Sequence, residues 1–176
     1  RDKEDWQETP RILYSLGEFG HVTVYHYDNS RKLSQTLELR ANGTLFSVTQ
    51  YDTDGRVSGS YRYNPDGKKI MSYSVYTYYA TDSTAKDYRL LKTVETYGVA
   101  DLDFTLLKDL LDKRAGGTLG TLESRVHYLP RRAEAKTYAP EENKPNVTEA
   151  ALGRYDYLGL GLVDYTENFR RPLITG

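Results

Sequence analysis

The sequence predicts a mainly β protein, an antiparallel meander of about eight to ten strands with one covering helix. Three observations point there. Residues 27–74 fall into lines of twelve, YDNSRKLSQTLE, LRANGTLFSVTQ, YDTDGRVSGSYR and YNPDGKKIMSYS. Gly43, Gly55 and Gly67 recur at that spacing, each after Asn or Asp. A period of this length fits one strand plus one turn. Finally, 17 Tyr stand against four Phe and one Trp, and tyrosine suits a pleated, half-buried surface with a wet edge.

The elements follow in order. Residues 1–9 read as an unpatterned arm with Trp6 as its anchor. Arg11–Leu16 is a short strand, closed by Gly17 and Gly20. In His21–Tyr27, Val22, Val24 and His26 alternate with Thr23, Tyr25 and Tyr27. Lys32–Arg40 puts Leu33, Gln35, Leu37 and Leu39 on one face. Ala41-Asn42-Gly43 is a tight turn, because Asn and Gly tolerate positive φ. Thr44–Tyr51 is apolar on both sides, as an interior strand is.

Asp52-Thr53-Asp54-Gly55 turns the chain into Arg56–Tyr63, and Asn64-Pro65-Asp66-Gly67 turns it into a long strand, Lys68–Tyr79. Because the period is even, equivalent positions are expected to keep their face. Leu33, Leu45 and Val57 then stack, as do Leu37, Thr49, Tyr61 and Tyr73. Leu39, Tyr51 and Tyr63 form a third row.

Thr81–Lys86 reads as a loop and Asp87–Tyr97 as a strand with Tyr88, Leu90 and Val94 on one face. The one helix is expected near 101–115, capped by Asp101 or Asp103, with Leu106, Leu107, Leu110 and Leu111 as its apolar stripe. Lys113, Arg114 and Gly116-Gly117 suit its C-terminus. Leu119–Leu129 is a further strand, 130–147 a long surface loop, and Tyr155–Tyr165 the last strand; 166–176 is unpatterned. The sheet either stays open or closes as an up-and-down barrel. Eight strands suffice for a barrel holding one small ligand.

A chain of 176 residues fits one domain, 1–176. The formal net charge of −1, with scattered cations, argues against nucleic acid as a partner. No apolar run reaches the ~18 residues that span a bilayer. The absence of Cys excludes disulfides, thiolate metal sites and Cys nucleophiles.

No P-loop, GxGxxG, GxSxG or HExxH pattern occurs, so no catalytic residues, metal site or cofactor are assigned. Asp52-Thr53-Asp54-Gly55 opens like a calcium loop but lacks the later oxygen ligands, which leaves it a turn role. His21 and His26 lie five apart on one strand and point to opposite faces, so they cannot share a metal. His127 reads as an ordinary boundary residue. Two sequons, at Asn42 and Asn146, are noted; the first is explained by its turn.

The candidate binding residues are Tyr61, Tyr63, Tyr73, Tyr76 and Tyr78, clustered on two neighbouring strands. Tyr76 and Tyr78 share one face, Tyr73 and Tyr79 the other, so one set is expected in the core and the other on a recognition surface for a sugar, peptide or protein.

Tyr51-Asp52-Thr53-Asp54-Gly55-Arg56 resembles the YDxxGR core of YD (RHS-type) repeats, with Tyr63-Asn64-Pro65-Asp66-Gly67-Lys68 as a looser copy. The variant MORN-type repeats of bacterial antitoxin and lipoprotein families look similar. The likeness spans about 15–74, and the units of those families are longer than twelve. It implies hairpin structure for these residues and no catalytic role.

Three functions follow as expectations. The first is a non-catalytic binding or interaction module with an exposed Tyr-rich face, the soluble part of a bacterial surface or periplasmic lipoprotein. The second is a lipocalin-like barrel for a small hydrophobic ligand. The third, ranked last, is an enzyme.

Overall fold

The computed structural model describes residues 11–85, 87–130 and 163–169. Its nine strands form one open antiparallel sheet in sequence order. They are β1 (Tyr14–Leu16), β2 (Val22–Tyr27), β3 (Leu33–Leu39), β4 (Leu45–Tyr51), β5 (Val57–Tyr63), β6 (Ile70–Tyr78), β7 (Leu91–Gly98), β8 (Thr121–Tyr128) and β9 (Val163–Asn168). A single helix among the described residues, α1 (Leu107–Arg114), lies between β7 and β8. With β1 and β9 as its two edges among the described residues, the sheet is open and encloses no lumen, which corrects the barrel alternative.

The predicted hairpins form at the predicted turns. Gly43, Gly55 and Gly67 sit at φ +83°, +78° and +73°, and each donates its N–H to the residue three back, Arg40, Asp52 or Asn64. An acceptor side chain at that first position completes two of these turns. Asp52 Oδ1 accepts from the N–H groups of Asp54 and Arg56, and Asn64 Oδ1 from those of Lys68 and Lys69. In the β2–β3 turn Arg31 takes the left-handed place, at φ +67°.

The stacking rows differ from the expectation. Leu37 pairs with Val48, Val48 with Tyr61, and Tyr61 with Tyr73, whereas Thr49 pairs with Thr36 and Ser60 on the other face. Two causes combine. Alternate strands run in opposite directions, so the residues that close each hairpin alternate between the two ends of the sheet. Every pairing from β2–β3 to β8–β9 also carries a register shift, in all but β7–β8 beside its last pair, such as Tyr51 with Val57 or Tyr63 with Ile70. An extra residue there bends the strand and changes which face the next pair occupies. Leu33 and Val57 therefore close hairpins at one end, and Leu45 closes one at the other.

The helix is shorter than predicted. Residues 100–102 form a 3-10 turn, Asp103 is left-handed at φ +57°, and α1 begins only at Leu107 with Leu106 as an N-cap that makes no side-chain bond. Neither Asp101 nor Asp103 caps it, and Leu102 and Leu106 are exposed. Phe104, Leu107, Leu110 and Leu111 supply the apolar contact with the sheet. Residues 87–89 turn instead of extending, so Tyr88 and Leu90 are buried from a loop ahead of β7. β9 continues to Asn168, into the stretch read as unpatterned. The arm 1–9, nearly all of the 130–147 loop and most of the 155–165 strand lie outside the described residues.

Candidate functional site: the two faces of the sheet

Directly opposed residues of antiparallel strands share a face, so the register sorts the side chains into rows. On the helix face one row runs Val24, Leu37, Val48, Tyr61, Tyr73, Tyr97, Leu122. One residue along each strand, on the opposite face, the row runs Thr36, Thr49, Ser60, Ser74, Thr96, Ser124. Six hydroxyl side chains thus line up across six successive strands, at the ~4.8 Å strand spacing.

The helix face is core. Tyr61, Tyr63 and Tyr73 are 2%, 7% and 1% exposed, so these three candidate binding residues are packed under α1. They are the set that the core takes, and rings so enclosed cannot meet a partner, which corrects their place among the candidate binding residues. Tyr73 stacks between Tyr61 and Tyr97, with centroids 6.5 and 5.2 Å away. Its hydroxyl donates to Leu119 O (2.9 Å) and accepts from Leu119 N–H (3.1 Å). Arg114 lies 4.8 Å over the Tyr73 ring and donates to the Tyr61 hydroxyl, which donates in turn to Gln50. Burial pushes the Tyr61 and Tyr63 phenols above their ordinary value. Gly59 makes the Tyr61 pose possible, since a Cβ there would sit 2.9 Å from the Tyr61 hydroxyl.

Tyr76 and Tyr78 are half-buried on the hydroxyl face. Tyr76 shares a hydrogen bond with Ser60 Oγ, 3.1 Å, and Ser74 shares one with Thr96, 2.8 Å. Tyr78 is tied more firmly. Its hydroxyl donates to Val57 O (2.8 Å), and the Arg56 guanidinium lies 4.6 Å from its ring and 3.9 Å from that of Tyr88. Desolvation raises the Tyr78 phenol, against the pull of Arg56.

Arg56 is itself held by Asp52, 2.8 Å away. Desolvation works against the Asp52 carboxylate, but the hydrogen bonds from Arg56 and from two backbone N–H groups hold it below its ordinary value. The Tyr88 hydroxyl donates to Asp54. Asp52 and Asp54 therefore serve the turn and the loop packed on it.

The chemically richest cluster lies on the helix face near the β9 edge, and sequence reading missed it. Arg125 bridges Glu95 (3.3 Å) and Glu167 (3.1 Å), and His127 Nε2 is 3.2 Å from Glu167. The His127 ring stacks on Tyr165 at 4.0 Å. The His127 hydrogen bond, joined by that of Arg125, holds the Glu167 carboxyl below its usual range in spite of desolvation. Arg125 engages both carboxylates and His127 adds a hydrogen bond to one of them, as in a structural network. These residues are 30 to 42 apart in sequence, so only strand register brings them together. No three His, Asp or Glu side chains among the described residues converge as a metal site. No helix among them is long and apolar enough to cross a membrane.

Comparison with protein-family models and with curated proteins returns no match. The site's own chemistry must carry the functional reading.

Proposed function

We propose that the chain is a non-catalytic binding or interaction module whose recognition surface is the hydroxyl face, with Tyr76 beside the half-buried row from Thr49 to Ser124; Thr36, at the end of that row, is buried. One observation carries this reading. Among the described residues α1 covers one face of the sheet, and the other presents short hydroxyls where a second core would need apolar side chains. Hydroxyls with a flanking Tyr suit a polar partner, a glycan or a protein surface, through adaptable hydrogen bonds and one rigid ring. Of the five candidate tyrosines only Tyr76 stays in this role, because Tyr78 is occupied by Arg56 and Val57.

The resemblance to YD and MORN-type repeats supports a non-catalytic hairpin scaffold. It is also the ground for placing the module outside the cytoplasm, as the soluble part of a surface or periplasmic lipoprotein. The enzyme reading has the Glu95–Arg125–Glu167–His127 cluster behind it, but Arg125 engages both of its carboxylates.

The test is a glycan array and a surface-protein binding screen with the full chain and with Ser60→Glu and Tyr76→Ser. A partner whose binding falls at least tenfold in both variants, at unchanged melting temperature, supports the proposal. Binding that survives both substitutions removes the hydroxyl face from consideration. Fractionation of the native host tests the location separately.

A further inference from the structure

Exposed apolar side chains concentrate at the β1 edge. Ile12, Leu13, Tyr14, Leu16 and Phe19 are 60%, 65%, 66%, 75% and 88% exposed. Together they present several hundred Å² of apolar surface, roughly the 300–600 Å² of the largest patch on an ordinary monomer. Phe19 is held outward by a left-handed backbone, φ +60°. Such a conformation is costly for a residue with a Cβ.

The backbone of β1 sets what can dock there. Leu13 O accepts from Tyr25 N–H and Gly17 N–H donates to His21 O, so Leu13, Ser15 and Gly17 turn their backbone groups toward β2. By alternation, Tyr14 and Leu16 turn theirs to the open side. The Ile12 carbonyl is already taken by the Tyr27 hydroxyl, 2.7 Å away. No described residue pairs with that side, so the edge offers two N–H and two C=O groups, one of each from Tyr14 and from Leu16.

Edge strands are commonly guarded by charge or bulges. The opposite edge, β9, carries Asp164 and Glu167 and a register shift beside Val163. β1, with the sequence Tyr-Ser-Leu, carries no charge and no shift.

We propose that β1 is a self-association seam, at which two copies of this chain pair antiparallel about a two-fold axis through Ser15. This register is self-complementary. It places Tyr14 opposite Leu16 of the partner subunit as a hydrogen-bonded pair, and by symmetry Leu16 opposite the partner subunit's Tyr14. All four outward groups on each copy find partners. Ser15 meets the partner's Ser15 in the close, non-hydrogen-bonded position.

Tyr14 and Leu16 lie on the helix face, opposite Val24 and Val22, so the apolar row of each copy continues into the other. The seam is short, three residues of β1 with the flanking apolar side chains, which corresponds to a weak, reversible association. A β1–β9 contact is disfavoured, since it would set the exposed Asp164 carboxylate against a strand without charge.

Sedimentation velocity on the full chain over a concentration series tests this. Wild type passes from monomer to dimer, and Leu16→Asp, an exposed position, weakens the association at least tenfold. The chain has no Cys, so Ser15→Cys gives a second readout. Opposed Cα atoms about 4.5 Å apart lie within disulfide range. Ser15→Cys then cross-links much faster under mild oxidation than Lys108→Cys, an exposed control on α1. A protein monomeric at its highest soluble concentration, a dimer indifferent to Leu16→Asp, or equal cross-linking rates would each overturn the proposal.

Discussion

The two faces of this sheet differ by a single step along each strand. Tyr73 is enclosed between two rings and an arginine under α1, while its neighbour Ser74 shares a hydroxyl row with Thr96. Both faces carry tyrosines, so residue type does not separate them. The separation comes from what covers each face. Residues 99–119 fold back over the helix face, with Ile70 N–H bonded to Phe104 O and Val99 N–H to Met71 O. On the hydroxyl face, among the described residues, the shorter connection between β6 and β7 covers one end, through Tyr88 against Arg56. A ring under the first cover is core, and a ring beside the second is part of a surface.

The strongest way to break this contrast is to put charge under the helix. Leu110→Asp buries an unpaired carboxylate at a fully enclosed position and is expected to cost more than about 4 kcal/mol and to unfold the protein. Leu106→Asp, one turn earlier and exposed, should fold normally by circular dichroism. Leu107→Asp, on the helix side facing the sheet, should fall between them, and a soluble variant of unchanged melting temperature would contradict the packing.

Next is the adjacent pair on β6. Tyr73→Ala should lose about 3–5 kcal/mol in urea unfolding and Ser74→Ala about 1 kcal/mol. Similar losses at both positions would erase the distinction between the faces.

The turns give a smaller, graded effect. Gly55→Ala meets open space and pays only for a left-handed Cβ, about 1–2 kcal/mol. Gly67→Ala should cost more, because a Cβ there lies 2.7 Å from Leu45 N, on the neighbouring turn at the same end of the sheet. A difference of about 1 kcal/mol appears as roughly 2–4 °C in melting temperature.

The pH dependence sharpens the picture at both extremes. Burial raises the Tyr61 and Tyr63 phenols, so the stability they lend is full below pH ~10 and is lost as pH rises through their folded values. Tyrosinate absorbance from these two should appear together with unfolding. Asp52 and Glu167 are held low, so their contribution is present above pH ~4 and is lost as pH falls through their folded values. Asp52→Asn should flatten the acid limb of the stability profile.

Hairpins proved legible because their signals are local. A strand with alternating faces, an Asp or Asn that accepts from its own turn, and a Gly at positive φ all act within about six residues. The helix was placed correctly but begun too early, since the left-handed Asp103 and the exposed Leu106 follow from how the segment docks on Phe104 and Ile70. The hydroxyl row escaped the sequence because its members are not evenly spaced. Thr36, Thr49, Ser60, Ser74, Thr96 and Ser124 align only once every register shift has been counted.

The sequence by itself therefore determined the strands, the turns that reverse them and the antiparallel order, because each rests on contacts near in the chain. Which face became core was decided only in three dimensions. Register shifts and alternating strand direction reassign positions that a twelve-residue period makes look equivalent, and a helix from the β7–β8 connection chooses the side to bury. Burial depends on what lies opposite a side chain, and in an open sheet that is settled by the connections.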